Sequence, residues 1–399
     1  MEHQNDVSLD ANFPGGNIIL EKIEGDEVFL RQDLRDTAGD WFYWAFRVRG
    51  AAGRRLTFRF TGSDVVGVRG PALSRDGGST WQWLEEHSVS RATAGGPAFS
   101  CEFAPDDAEV FFALCPLYTE VHLREFLSRH ATNPELHVET LCHSRQGRAV
   151  ELLRIQGQSP AHRVLFTCRH HACEAMASFV LEGVLEAALD GNDIGAWLRT
   201  HVALAAVPFM DKDGVEAGDQ GKNRRPYDHN RDYGSTPDDS IYPEVRALRT
   251  WAPEWLAQSQ SGEEHMHLAF DLHCPWIRGS HNEDLYFVGG PDTSIWERVM
   301  RFSHVLSTVR NGPLPFEVSH NLPFGQGWNT LEGAAVGSRS CSNWTSSLPG
   351  IHFGTTLEVP YANAGGAVVT PQSARALGHD LADALRSYLC SLRLLGESS

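Results

Sequence analysis

The segment Arg169-His170-His171-Ala172-Cys173-Glu174 places an imidazole and a carboxylate three residues apart, between a strand-like run ending at Thr167 and a helix-like run starting at Glu174. Open α/β sheets place their ligands at the carboxyl ends of strands. At such an end, His171 and Glu174 can converge on one Zn²⁺ ion, which keeps an open coordination position if a third ligand arrives from elsewhere. The spacing alone is common: 19 His, each with a 51-in-399 chance of an acidic residue three positions on, give about 2.4 matches. His3/Asp6, His122/Glu125, His229/Asp232 and His281/Asp284 share it. His122/Glu125 reads as the solvated face of a helix.

Order and context lift the His171 pair above these decoys. Downstream come Asp211-Lys212-Asp213-Gly214-Val215, then Asn223-Arg224-Arg225, then Asp228-His229-Asn230-Arg231-Asp232-Tyr233. Asp271-Leu272-His273 follows at one strand end and Thr356-Leu357-Glu358 at another. Together these resemble the zinc carboxypeptidases of the M14 family, whose motifs are HxxE, a DG turn, a substrate-binding Arg, an Asn-Arg pair, a third-ligand His and a late Glu. The strand-rich region in front, followed by Pro116-Leu117-Tyr118-Thr119, is similar to the N-terminal domain of the cytosolic carboxypeptidase branch, so the resemblance spans nearly the whole chain.

The resemblance implies that His171, Glu174 and His273 bind one Zn²⁺ per chain, with a water in the fourth position. It makes Glu358 the general base that takes the water's proton and delivers it to the leaving amine. Asn230 and Arg231 match the pair that receives a free terminal carboxylate, for which the planar guanidinium fork is suited. Arg224 or Arg225 would polarise the scissile carbonyl, and the sequence does not choose between them. Arg339 either receives an acidic side chain of the departing residue, as the resemblance to the deglutamylating branch suggests, or is a surface Arg. His170 is expected not to coordinate. Asp271 either orients a ring nitrogen of His273 or caps a turn.

The chain departs from the family pattern at Ala172-Cys173, where Pro-Gly is frequent, and at Cys274 directly after the third ligand. No Tyr lies between Tyr286 and Tyr361 to match the family's flexible Tyr; Trp328 or Trp344 either fills that space or belongs to the core. Cys168, Cys173 and Cys274 read as buried free thiols. The function these residues imply is removal of single residues from peptide or protein C-termini. An aspartoacylase-like N-acyl amino-acid hydrolase is the alternative within enzymes, and a silent zinc-stabilised binding module is the alternative outside them.

The elements that must position these residues follow from patterning. Residues up to about 115 alternate at period two, as in Phe42, Trp44, Phe46, Val48 and Leu56, Phe58, Phe60, with glycine-rich turns between, which reads as an antiparallel β-sandwich over 1–116. A helix is expected from Val121 to Arg129. From there to 399 strands and helices alternate, which predicts an α/β catalytic domain with a mixed central sheet flanked by helices. Arg163 to Thr167, Val202 to Phe209, Leu268 to Phe270, Leu285 to Val288 and Thr355 to Val359 are the strand candidates. A helix from Glu174 to Leu189 follows the first, and a last helix is capped by Thr370 with Pro371 in its first turn.

Composition sets the outer limits. At 41% hydrophobic and 21% charged residues the chain is an ordinary globular one. A net charge of −17 argues against a nucleic-acid backbone or an anionic membrane as partner. No apolar run reaches the roughly 18 residues of a membrane helix, and the acidic N-terminus reads as no export signal. Eight scattered Cys suit reduced thiols, so the cytoplasm is the expected location. Oligomeric state is not legible.

Overall fold

The computed structural model describes residues 7–91, 96–157, 160–234, 236–258, 266–330 and 339–396. The chain divides into two compact units, Met1–Val121 with Gly214–Pro226, and His122–Asp213 with Tyr227–Ser399.

The first unit carries β1 (Ser8–Asp10), β2 (Ile19–Glu24), β3 (Glu27–Arg31), β4 (Ala45–Arg49), β5 (Arg55–Phe60), β6 (Ala72–Ser74), β7 (Gln82–Trp83), β8 (Val89–Ser90), β9 (Ala98–Glu102) and β10 (Glu109–Ala113). They form two five-stranded sheets, β1-β4-β10-β6-β7 and β2-β3-β5-β9-β8. One neighbour pair departs from the expected antiparallel pattern: β3 and β5 run parallel. The chain leaves β3 to build β4 in the other sheet before returning, and a connection of that length permits a parallel partner. Alternation puts Val28, Leu30, Phe58, Phe60 and Phe99 of one sheet against Phe46, Val48, Val110 and Phe112 of the other, all buried. The Phe58 and Phe112 rings lie 5.2 Å apart and those of Trp44 and Phe60 4.9 Å apart.

Gly214–Pro226, together with residues 117–121, lies in this unit rather than with the residues that follow the expected boundary at 116. Polar side chains hold it there. The Gln220 amide bonds both the N–H and the carbonyl of Tyr43 at 2.8 Å, Asn17 donates to the Gly218 carbonyl at 2.7 Å, and Asp36 accepts from the N–H groups of Gln220 and Gly221. Apolar periodicity carries no trace of such pairings.

The second unit is organised on a seven-stranded mixed sheet. Its strands are β11 (Leu136–His143), β12 (Ala149–Ile155), β13 (His162–Cys168), β14 (Val202–Val207), β15 (His267–His273), β16 (Tyr286–Val288) and β17 (Ile351–Glu358), in the order β11-β12-β14-β13-β15-β17-β16. The four central strands β14, β13, β15 and β17 are parallel, and the edges are antiparallel. All of β13, β14 and β15 is buried, as a parallel strand covered on both faces must be. The mixed sheet flanked by helices is the expected architecture, and β11 and β12 extend it by an antiparallel pair that the sequence reading lacked.

The helices are α1 (Glu120–Arg129), α2 (Ala175–Leu189), α3 (Asp193–His201), α4 (Lys212–Ala217), α5 (Pro243–Ala257), α6 (Thr293–Val309), α7 (Cys341–Thr345) and α8 (Pro371–Gly396). On one face of the sheet, α5 buries Val245, Leu248, Ala252 and Trp255 against Val150, Leu152, Leu165 and Ala205. α2 and α8 pack backbone to backbone: a Cβ at Gly183 would sit 2.1 Å from the Arg375 carbonyl oxygen, and one at Gly378 2.2 Å from that of Val180. This close approach holds α2, whose N-cap residue is Glu174. Thr370 caps α8 through a 3.0 Å bond from the Ser373 N–H. From β13 the chain moves to β14 on one side and later to β15 on the other, so the sheet's switch point lies at the C-terminal end of β13.

Candidate metal centre

The turn after β13 is shaped by Arg169, whose φ of 59° is in the left-handed region and costs energy for a residue with a side chain. Its own buried guanidinium closes the turn, donating from Nε to the Ala172 carbonyl at 3.1 Å and from Nη1 to Ser178 Oγ at 3.2 Å. The Met210 and Asp211 N–H groups bond the Cys168 and Arg169 carbonyls and hold the turn to the chain beyond β14. His171 and Glu174 are thereby set at the start of α2. Their reach meets His273, the last residue of the neighbouring β15.

The donor atoms converge. His171 Nδ1 lies 2.9 Å from Glu174 Oε1, His273 Nδ1 lies 2.8 Å from Glu174 Oε2, and the two Nδ1 atoms are 3.2 Å apart. Glu174 and His273 are buried and His171 is partly so. Asp271 Oδ2 sits 2.7 Å from His273 Nε2, and a carboxylate only accepts, so Nε2 carries a proton, and Nδ1, turned toward Glu174 and His171, is the nitrogen that a metal would take. Two imidazole nitrogens and a carboxylate turned on one point form a donor set that fits a divalent cation such as Zn²⁺. Burial alone would lower the proton affinity of His273, but the carboxylates of Asp271 and Glu174 overcome it and hold the ring well above the ordinary imidazole value. Asp271, although burial acts the other way, is held below the usual carboxylate range by His170 and His273.

His170, Asp271 and His273 form a second cluster of possible donors. Both ring nitrogens of His170 are already engaged, Nδ1 with Asp271 Oδ1 at 2.7 Å and Nε2 with the Tyr233 hydroxyl at 2.6 Å. Burial pushes its pKa down, so the ring is neutral.

Glu358 ends β17 directly opposite His273 in the parallel register, and Tyr286 of β16 lies opposite it on the other side. All three are buried. Burial first, and the Glu358 charge second, push the Tyr286 phenol far up, so it stays a neutral hydroxyl. Asn230 is buried, accepts the Cys341 N–H at 2.9 Å and places Nδ2 3.3 Å from His273 Nε2. Arg231 is exposed and bonds the Asn230 carbonyl at 3.0 Å. Arg339 donates to the Asn343 carbonyl at 2.7 Å. Arg224 and Arg225 belong to the first unit; Arg224 is held by Asp36 at 3.0 Å and Asp219 at 2.8 Å, and Arg225 is exposed.

Sequence reasoning missed Tyr233, Thr167, Asp228 and Tyr286. Their proximity depends on strand register and on the chain's return from the loop after β14, neither of which leaves a local pattern. Asp228 Oδ1 lies 3.8 Å from His171 Nε2, on the side away from Glu174. Trp344 is buried against Tyr233, with ring centroids 5.2 Å apart, whereas Trp328 is exposed. Cys168, Cys173 and Cys274 are buried free thiols, and burial pushes that of Cys168 up to about 12.

Residues 123–267, which include His171, Glu174, Asn230 and Arg231, match the family model for zinc carboxypeptidases, Peptidase_M14. Over these residues the chain is similar to the M14 zinc carboxypeptidases, a class of hydrolases. The chain is 23% identical over 376 residues to cytosolic carboxypeptidase 6 of Caenorhabditis elegans, covering 86% of this chain and 78% of that protein. It is 23% identical over 429 residues to cytosolic carboxypeptidase 2 of Xenopus tropicalis, where it spans 96% of its own length but only 42% of the relative's. A metallo-carboxypeptidase structure from Burkholderia cenocepacia shares the fold with a TM-score of 0.75 at 20% identity, covering 96% of this chain and 99% of that one. A metallo-carboxypeptidase from Pseudomonas aeruginosa, solved with (2-guanidinoethylmercapto)succinic acid, does so with a TM-score of 0.76 at 20% identity, covering 96% and 100%. Among the described residues no helix of this chain is long and apolar enough to cross a membrane.

Proposed function

We propose that the chain hydrolyses the C-terminal peptide bond of peptides or proteins, using one Zn²⁺ held by His171, Glu174 and His273. The observation that carries this reading is the convergence of those three donors beside the strand-end carboxylate of Glu358. A zinc ion bound there supplies a Lewis acid and brings the pKa of a water toward about 7. Glu358 accepts the proton of the attacking water and passes it to the departing amine, and its burial keeps bulk water from competing for that proton. Asn230 and Arg231 receive the terminal carboxylate, Arg231 through a two-pronged guanidinium contact. Arg224 or Arg225 stabilises the oxyanion, and alanine variants of each, compared by kcat, decide between them. Arg339 receives an acidic side chain, which gives a preference for a C-terminal Glu or Asp. Eight free cysteines and relatives named as cytosolic support a cytoplasmic location.

The test is a pair of peptides differing only at the end. The free acid should be cleaved and the C-terminal amide should be a poor substrate, because the amide presents no charge to Arg231. Equal cleavage of both would overturn the exopeptidase reading. Hydrolysis of N-acyl amino acids alone would replace it with the aspartoacylase-like activity.

A further inference from the structure

His170 is adjacent to a metal-donor residue, yet its ring faces away from the donor cluster into a buried chain of hydrogen bonds. That chain runs from the Tyr233 hydroxyl to His170 Nε2 at 2.6 Å, from His170 Nδ1 to Asp271 Oδ1 at 2.7 Å, and from Asp271 Oδ2 to His273 Nε2 at 2.7 Å. Thr167, the register partner of Asp271 across β13 and β15, adds a 2.8 Å bond from Oγ1 to Oδ1. Tyr233 and His170 are 0% exposed, Thr167 1%, and Asp271 and His273 2% each.

The donor direction of the two links to the carboxylate is determined. A carboxylate only accepts, so Asp271 takes N–H bonds from both His170 Nδ1 and His273 Nε2. With its proton on Nδ1, the singly protonated His170 ring accepts at Nε2 from the Tyr233 hydroxyl. Each member removes one freedom from the next. Without Tyr233 the His170 Nε2 loses its partner and the ring is held by Asp271 at one nitrogen alone. Without His170 and Thr167, Asp271 rotates about its side chain, and without a fixed Asp271 the His273 ring samples the tautomer whose Nδ1 is protonated and cannot bind a metal. The His170 and His273 rings also stack, with centroids 5.9 Å apart and planes 13° apart, so a tilt in one disturbs the other.

We propose that His170 and Tyr233 are positioning residues, acting through Asp271 to hold His273 with its Nδ1 lone pair on the metal. This rests on the reading of His171, Glu174 and His273 as the ligands. Outer partners of ligating imidazoles change metal affinity by 10–100-fold when mutated, and the proposal places two residues beyond the direct partner in that class.

The experiment measures zinc affinity of the full chain by competition with a chelator of known affinity, so no turnover is needed. Asp271→Asn should weaken zinc binding by about 10–100-fold, His170→Gln by about tenfold, and Tyr233→Phe by several-fold. The deciding readout is coupling. In the Asp271→Asn background, His170→Gln should add less than about twofold, because its effect travels through the lost carboxylate. A merely structural role for His170 would give independent, additive losses. The Co²⁺-loaded His170→Gln protein should keep the wild-type absorption spectrum, since the ligand set is intact. Thermal melting of the metal-free variants checks folding, and Tyr233→Phe, which keeps the ring, carries the test if His170→Gln does not fold. Wild-type zinc affinity in both His170→Gln and Tyr233→Phe overturns the proposal, as does additivity with Asp271→Asn. Loss of stoichiometric metal on His170→Gln, with retention on His171→Gln, would move the ion to the His170, Asp271 and His273 cluster and overturn the ligand reading itself. The expected losses of zinc affinity in the variants, in a chain whose wild type binds zinc but cleaves no peptide, would defeat the proposed function and leave the positioning chain standing.

Discussion

The two sheets of the first unit and the C-terminal ends of β13, β15 and β17 in the second are built by the same alternation of side chains, and they bury opposite things. Between the first unit's sheets lie Phe46, Phe58, Phe60, Phe99 and Phe112, while Arg55, Glu102, Lys22 and Glu24 pair on the exposed faces. Such exposed pairs contribute little to stability, so the aromatic layer carries it. At the strand ends of the second unit the buried residues are Thr167, Asp271, His273 and Glu358, with His170 and Glu174 beside them. Buried charge costs several kcal/mol unless hydrogen bonds, opposite charges or a cation complete it. A fold retains such a cluster where it is used, which points the chemistry there and not to the aromatic core of the first unit.

The largest effect should come from removing a donor. His273→Ala takes away the proposed ligand that joins β15 to the turn after β13, and bound zinc should fall from one per chain to near none by elemental analysis. Stoichiometric zinc in that variant would dissolve the contrast between the two regions. Next comes Glu358→Gln, which keeps size and polarity but removes the proposed base. Peptide turnover should drop by about 10² to 10⁴ with zinc content unchanged, and near wild-type turnover would assign the base elsewhere.

The converse change belongs to the first unit. Phe58→Ala empties a site fully enclosed by rings and should cost about 3–5 kcal/mol in denaturant unfolding, with the zinc affinity of the folded fraction unaltered. A parallel fall in zinc affinity would mean that the two regions are not separable in the way their cores suggest.

The smallest effect is a pH dependence at the opposite end of β17. Burial pushes His352 down to about 4, with Arg298 and Arg301 adding repulsion, and its Nε2 lies 2.8 Å from the Tyr388 hydroxyl. The folded ring resists a proton that the unfolded ring accepts near pH 6.5. Stability is therefore undiminished above that value and declines as pH falls from about 6.5 to about 4. His352→Phe should lose less melting temperature than the wild type between pH 7 and pH 4.5, and an equal loss in both would assign the acid sensitivity to other groups.

What the sequence by itself determined was local. The strand–turn–helix around His171 and Glu174 is visible because a strand covered on both faces carries a continuous apolar run, here Val164-Leu165-Phe166, and the Thr370-Pro371 start of α8 is visible because a cap and a first-turn proline act on their own backbone. The order of the DG, Asn-Arg, Asp-Leu-His and Leu-Glu segments made a strand-end site readable before any contact was known. Tertiary structure alone decided which polar groups meet. Gly214–Pro226 joins the first unit through Gln220, Asn17 and Asp36, which no periodicity announces. Tyr233, His170, Thr167 and Asp271 become one chain because β13 and β15 pair with Thr167 opposite Asp271. A slip of one residue would turn Asp271 to the other face of the sheet. Register is a property of two strands at once, and hydrogen bonds only a few ångströms long depend on it, so the sequence names the donors while the pairing of strands decides which of their atoms can reach a metal.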